Sequence, residues 1–340
     1  RDYRLVLTAG NRKSTQLNLG LRFDNEEMVA LQLNANLPLK KTLYVSSDLT
    51  LRLGKRILAG GEITFHPRWM RVSRPTVSYY FRRNDIAVYN QGDREYSIIY
   101  NQHQASVEPF NFSIHNFDFR MGISWDYFHF GKKLQSDDSR EVNFENGHYF
   151  KYETHVNYNS EDSWYFPTKG ARFMAGYAYI TDNFARLNGK AGVSDVSASW
   201  RKSVAVSKGF ALQAMAYGRL LFGTDIPHVY GNLIGGDYFG HYVEQQMPIT
   251  GLGHVEYAER HFVGVQMQAQ QRLGKSHYFL LRMAVAQHAD ELKNLMKTKT
   301  LIGGQVAYYY DTMFGPLGAS VGYSNRTKTP YFYINLGYVF

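Results

Sequence analysis

Between residues 117 and 127 every second side chain is large and apolar: Phe117, Phe119, Met121, Ile123, Trp125 and Tyr127 alternate with Asp118, Arg120, Gly122, Ser124 and Asp126. A period of two is the side-chain repeat of a β-strand, so this segment has one apolar face and one polar face. The pattern recurs along the chain. Leu17, Leu19, Leu21 and Phe23 oppose Asn18, Gly20 and Arg22; Val29, Leu31, Leu33, Ala35 and Leu37 oppose Ala30, Gln32, Asn34 and Asn36. Val45, Leu49, Leu51 and Leu53 oppose Ser46, Asp48, Thr50 and Arg52, and Val263, Val265, Met267 and Ala269 oppose Gly264, Gln266, Gln268 and Gln270. Such strands must cover their apolar faces, either with a second sheet in a soluble sandwich or with lipid around a barrel. Alternation alone fits both.

Strand number and loop lengths separate the two. Breaks at turn residues delimit about sixteen strands, at 13–24, 27–37, 42–54, 56–66, 75–90, 94–107, 117–130, 147–159, 170–182, 191–204, 209–222, 253–272, 277–288, 300–311, 316–324 and 331–340. An even number suits a closed antiparallel barrel in an outer membrane. If the last strand runs toward the periplasm, the connections at 38–41, 167–170, 207–209, 275–276 and 312–315 fall on the periplasmic side and are short. Those at 131–146, 223–252 and 289–299 fall on the outer side and are long, the asymmetry expected of such barrels. The connection 109–116 is a longer exception on the periplasmic side. Aromatic groups at 79–81, 125–130, 164–166 and 308–310 suit interfacial girdles. The expectation is an all-β transmembrane antiparallel barrel of about 16 strands with long outer loops and short periplasmic turns. Residues 289–298 carry a helical composition and are expected to form a short helix in an outer loop.

Composition excludes other classes. The mean hydropathy is -0.39, and no apolar run reaches the ~18 residues a spanning helix needs. A polar average with 16% aromatics is instead how alternation conceals a membrane barrel. The net charge of +9 comes without a Lys/Arg cluster or a basic helical face, so no nucleic-acid partner is expected. Absence of cysteine suits passage through an oxidising periplasm. The chain starts at Arg1 without an initiator Met or a signal-peptide core, as a mature form or an excised domain would. Residues 1–12 are expected to be a linker or the end of an upstream domain, and 13–340 the barrel.

The terminal residues Asn335, Gly337, Tyr338 and Phe340 resemble the C-terminal assembly signal that the barrel assembly machinery of Gram-negative bacteria reads on outer-membrane barrels. Three further stretches, FPTKG at 166–170, IGGDYFGHY at 234–242 and DTMFGPLGASVGY at 311–323, resemble the bacterial surface-antigen (D15-type) superfamily of 16-stranded barrels. Within it, NQHQ at 101–104, HNFDFRMGISWDYF at 115–128 and GHYVEQQMP at 240–248 look most similar to the C-terminal barrels of patatin-like phospholipases. The resemblance implies an outer-membrane domain that anchors, and positions or translocates, an upstream lipid acyl hydrolase. The superfamily also holds outer-membrane assembly and two-partner secretion factors, and a passive porin is a further alternative. Implied partners are the assembly machinery, outer-membrane lipid and lipopolysaccharide, and an upstream domain of the same polypeptide. The resemblance also implies that the long loop after the eleventh strand folds into the lumen, with Gly235, Gly236, Phe239, Gly240, His241 and Tyr242 at its tip. The superfamily's loop arginine is missing, because Phe239 precedes Gly240.

No catalytic, cofactor or metal site is expected in this chain. Gly318-Ala319-Ser320-Val321-Gly322 spells a nucleophile elbow, but it lies in an alternating strand with no helix after it. His277 and His288 show no Ser partner at a readable spacing, and His241 and His254 read as polar loop residues. The expected lumen face carries Arg22, Arg52, Arg120, Arg272 and Arg282 with Asp48, Asp118 and Asp126. These charges make either a lining that prefers anions or a mixed-sign network that fills the interior.

Overall fold

The computed structural model describes residues 15–40, 45–67, 73–131, 134–135, 144, 146–237 and 241–338. Sixteen antiparallel strands form its wall. They are β1 Gln16–Asp24, β2 Met28–Lys40, β3 Val45–Leu53, β4 Ile57–Phe65, β5 Thr76–Asn90, β6 Asp93–Ile114, β7 Phe117–Phe130 and β8 Gly147–Asn159. The second half comprises β9 Gly170–Thr181, β10 Val193–Ser207, β11 Phe210–Phe222, β12 His261–Leu273, β13 His277–Ala289, β14 Leu301–Thr312, β15 Gly315–Ser324 and β16 Tyr331–Gly337. Each strand pairs with its sequence neighbours, and β16 pairs back with β1 to close the barrel.

Closure leaves the alternating faces with two solvents. Leu17, Leu19, Met283 and Phe332, which point outward, are 65–68% exposed. An apolar band of this extent around a closed sheet is satisfied by lipid, since every backbone group in the hydrocarbon must be paired within the wall. The opposite parity buries polar groups: Gln266, Gln268 and Gln270 of β12, Arg282 of β13 and Gln305 of β14 are each under 5% exposed.

Three expectations are corrected. Pro109 does not end β6, which continues to Ile114 around a bulge between Val107 and Phe110. A proline that cannot donate to the ladder is accommodated at such a bulge, and the turn shrinks to two residues, with His115 at φ 55°. That periplasmic exception therefore disappears, whereas the connection read as a short turn at 167–170 runs from 160 to 169 and is ten residues long. Second, residues 253–272 do not form one strand: Val255–Glu259 pairs with Asn232–Gly235 inside the loop, and β12 starts at His261. Third, the outer loop 290–300 holds only one 3₁₀ turn, Leu292–Asn294, rather than a helix.

The aromatic groups also divide. Tyr308 and Tyr310 face outward, whereas Tyr309 is fully buried. Trp164 is exposed and stacks with the Arg172 guanidinium, 4.7 Å from the ring centroid. Phe166, expected in a girdle, turns into the lumen instead. It stacks on Tyr278 at 4.1 Å and packs against Tyr309, and its carbonyl accepts from Gln270 Nε2 at 3.3 Å. The turn 160–169 carrying it is braced by Glu161 with Arg201 at 2.6 Å and by Asp162, which accepts from Thr168 at 2.5 Å. This periplasmic turn fills the lumen beside β12, β13 and β14.

Candidate functional site

The loop 223–260 leaves β11 and folds back along the inner wall. Its root is fixed by Arg219, which pairs with Asp195 at 2.6 Å and donates to the Tyr230 carbonyl at 2.8 Å and to Asn232 Oδ1 at 3.0 Å. The Tyr230 hydroxyl crosses to β7 and donates to Asp126 at 3.1 Å, where Lys151 of β8 also lies 3.1 Å away. Buried charge is tolerated here because each group meets an opposite charge or a donor.

Beyond Gly235 and Gly236, at φ +125° and +96°, Asp237 is buried against β14 to β16. It accepts from Gln305 Nε2, from the Ser320 hydroxyl at 3.0 Å and from the Tyr331 hydroxyl at 3.0 Å. Close approach of the loop is made possible by Gly303 of β14. A Cβ there would lie 1.9 Å from the Thr250 carbonyl oxygen. Ser320 thus sits on a strand as a donor to a lumenal carboxylate.

Tyr242 ties the same loop to the barrel's closing strands. Its hydroxyl donates to Asp24 of β1 at 3.0 Å and lies 3.3 Å from the Tyr333 hydroxyl of β16. The guanidinium groups of Arg22 and Arg56 sit 4.7 and 4.3 Å from its ring centroid. Arg22 is itself paired with Asp24 at 2.5 Å, both fully buried.

The seam these residues adjoin is short. Among the described residues β1 and β16 share three ladder pairs, Arg22 with Gly337, Phe23 with Leu336 and Asp24 with Asn335, against thirteen between β12 and β13. Above them the Asn25 side chain replaces backbone pairing: its Nδ2 donates to the Phe332 carbonyl at 2.9 Å, and the Ile334 amide donates to its Oδ1 at 2.8 Å. Below them the Tyr338 amide donates to the Leu21 carbonyl at 3.2 Å. Gly337, at φ +104°, lets the end of β16 approach β1 so closely that a Cβ would lie 1.9 Å from the Leu21 oxygen.

At the outer end of the seam, Glu26 lies 3.1 Å from Lys55, 3.6 Å from Arg56 and 3.7 Å from His254 of the loop. Burial alone would raise its carboxyl, but the His254 contact and the two cations outweigh burial and hold it at about 2. A carboxyl depressed in the folded state contributes stability above its ordinary value of 4.5, and that stability is lost as pH falls toward 2. Acid unfolding of Glu26→Gln in detergent should therefore show a shallower loss between about pH 4.5 and 2 than the parent chain. Identical acid profiles would contradict this assignment.

The remaining sequence candidates are placed as follows. Asp48 accepts from Asn36, and Arg52 donates to Gln32 at 3.3 Å. Asp118 accepts from Ser113 at 2.5 Å and Asn157 at 3.2 Å, while Arg120 is half exposed and 3.9 Å from Glu108. Arg282 donates to Gln268 at 2.6 Å and Gln305 at 3.0 Å; Arg272 is exposed at the end of β12. Asn335 is buried and donates to the Pro316 carbonyl at 3.0 Å, and Tyr338 donates to the Met313 carbonyl at 2.7 Å. His241 is exposed. Phe239, Gly240 and Phe340 lie outside the described residues, as do residues 1–14. The sequence reading missed Asp237, Tyr230, Asp24 and Tyr333. Only Asp237, an acidic residue directly after two glycines, left a visible signal.

Among solved structures the fold is similar to BamA from Haemophilus ducreyi lacking POTRA domains 1-3, with a TM-score of 0.73 at 10% identity over 97% of this chain and 71% of that one. It is also similar to CdiB from Escherichia coli, with a TM-score of 0.60 at 9% identity, covering 96% and 68% of the two chains. For CdiB from Acinetobacter baumannii the TM-score is 0.59 at 12% identity, and this chain, covered to 95%, spans 60% of that protein. At these identities the likeness is one of fold, an outer-membrane barrel. No curated protein matches the sequence. The family model of the OMP85 superfamily matches residues 91–340, from the β5–β6 turn through the long loop to the end of the chain. The chain belongs to the OMP85 superfamily.

Proposed function

We propose that this barrel is the membrane-embedded domain of a larger polypeptide, in which residues 13–340 hold an upstream patatin-like phospholipase domain at the outer membrane and residues 1–12 form the linker. The observation that carries the reading is the occupied lumen. The loop 223–260 is tied to Asp24, Asp126, Gln305, Ser320 and Tyr331, and Phe166 enters beside β12 to β14. Such an interior serves a scaffold better than a passive porin. The stretch resembling the patatin-linked barrels, NQHQ at 101–104, supplies Gln102 and Gln104, which bond Asp126 and Arg82 in that interior.

A second reading, a barrel that assembles or secretes polypeptides, is favoured by the seam between β1 and β16, which has three ladder pairs among the described residues. Purified from outer membranes, the parent polypeptide should hydrolyse phospholipid, while residues 1–340 alone should not. A parent without acyl hydrolase activity but with periplasmic repeats would favour the second reading. Hydrolysis by this chain alone that is abolished by Ser320→Ala would overturn both.

A further inference from the structure

The outward faces of β5 to β8 form rows in register. Val77, Val107, Ile123 and Tyr152 make an apolar row, followed toward the long-loop side by Tyr79, Ala105, Trp125 and Phe150. The next row is Phe81, His103, Tyr127 and His148, and the one beyond it is Arg83, Asn101 and His129. The wall thus passes from aliphatic to aromatic to nitrogen-bearing side chains over four rows, three row spacings or about 20 Å along the strands, with β5 to β7 contributing to every row. That is the order of a hydrocarbon edge, an interfacial aromatic belt and a headgroup zone.

The outermost groups are available. Arg83, His129 and His148 are exposed. Arg83 makes no ion pair or hydrogen bond among the described residues, although Asp85 stands one row further out on the same strand. His103 is held by the Tyr79 hydroxyl at 2.7 Å and ringed by Phe81 and Tyr127 at 5.1 and 6.1 Å between centroids. Arg83 and His129 are two strand spacings apart, about 10 Å, with the Asn101 amide between them. A guanidinium offers a forked donor set matched to phosphate oxygens, and an imidazole donates through N–H in either charge state. An unpaired arginine facing lipid at headgroup depth is complementary to an anion carried by that lipid.

We propose that Arg83, Asn101 and His129, with His103 and His148 beneath them, form a site for the phosphate of an outer-leaflet lipid whose acyl chains lie on the Val77–Val107–Ile123 row. The site is distinct from the lumen and rests only on the long-loop side being the outer side.

Native mass spectrometry of the full chain in detergent, titrated with bis-phosphorylated lipid A, with its dephosphorylated form and with inorganic phosphate, tests it. The phosphorylated lipid should bind about tenfold more tightly than the dephosphorylated one, a difference of about 1.4 kcal/mol. Arg83→Ala/His129→Ala should lose about that factor, Arg83→Lys should lose less, and Lys293→Ala/Lys297→Ala in the outer loop should lose nothing. Because these side chains point out of the wall, heat-modifiable gel mobility should be retained in every variant. Equal binding by the double variant, an equal loss in the lysine control, or full displacement by equimolar inorganic phosphate would each overturn the proposal. Labelling of Lys297→Cys on intact cells checks the orientation separately, so failure of the site and failure of the orientation give different results.

Discussion

Asp237→Ala should loosen the long loop and weaken the barrel together. The substitution leaves the Gln305 amide, the Ser320 hydroxyl and the Tyr331 hydroxyl without their shared acceptor in a buried place. An unsatisfied buried group costs about 1–3 kcal/mol, and these three can partly satisfy one another, so a total of about 2–4 kcal/mol is expected. The Gln305 Nε2 also lies 2.8 Å from the Ser320 hydroxyl and 3.1 Å from the Tyr331 hydroxyl, so its two N–H groups keep acceptors when Asp237 is removed, which limits the loss. Asp237→Asn keeps one acceptor oxygen and should fall between. The urea midpoint of the refolded barrel measures the first effect. Planar-bilayer recordings measure the second, with small unsteady events in the parent becoming larger and longer in Asp237→Ala. An unchanged midpoint together with unchanged conductance would remove Asp237 from its role as the loop's anchor.

Phe166→Ala should have an effect of similar size by a different route. Phe166 is 2% exposed and stacked on Tyr278, so truncation removes a full aromatic ring from a packed site. Such deletions cost about 3–5 kcal/mol when the surroundings do not collapse. Collapse is resisted here because Tyr278 and Tyr309 are fixed on strands of the wall. Phe166→Leu should recover most of the loss, since it refills the volume without the ring. Trp164→Ala, two residues away and exposed, should lower the unfolding free energy obtained from the urea curve by less than about 1 kcal/mol. A Trp164 effect equal to that of Phe166 would return the whole turn to an interfacial role.

How far the sequence could be read follows from what alternation encodes. β7 was legible because Phe117 to Tyr127 repeats every second residue for eleven positions, and only a strand between two different solvents needs that. Closure was legible through strand parity and the contrast between short and long connections. Alternation does not say which sheet a strand joins, so Val255–Glu259 read as the start of β12 although it pairs within the loop. Nor does an aromatic triplet say which ring turns inward: Trp164, Tyr165 and Phe166 are equivalent in composition, and it is distant contacts, among them the Arg201–Glu161 pair, the Gln270 hydrogen bond and the Tyr278 ring, that aim Phe166 at the lumen. Pro109 misled for the same reason, since a turn residue and a bulge residue look alike in sequence. The lumenal contacts of Asp237 and Tyr242 join residues 68 to 218 positions apart, and such pairings leave no local trace.

The two fillings of the lumen have one support in common. Asp237 leans on Gln305, and Phe166 leans on Tyr309, and both residues belong to β14. Were they independent, two states each present about 1% of the time would coincide about once in ten thousand, because free energies of uncoupled displacements add. A shared strand breaks that multiplication. Any pull that bends β14 draws on both contacts at once, so openings of the lumen would arrive in bursts rather than as a steady trickle.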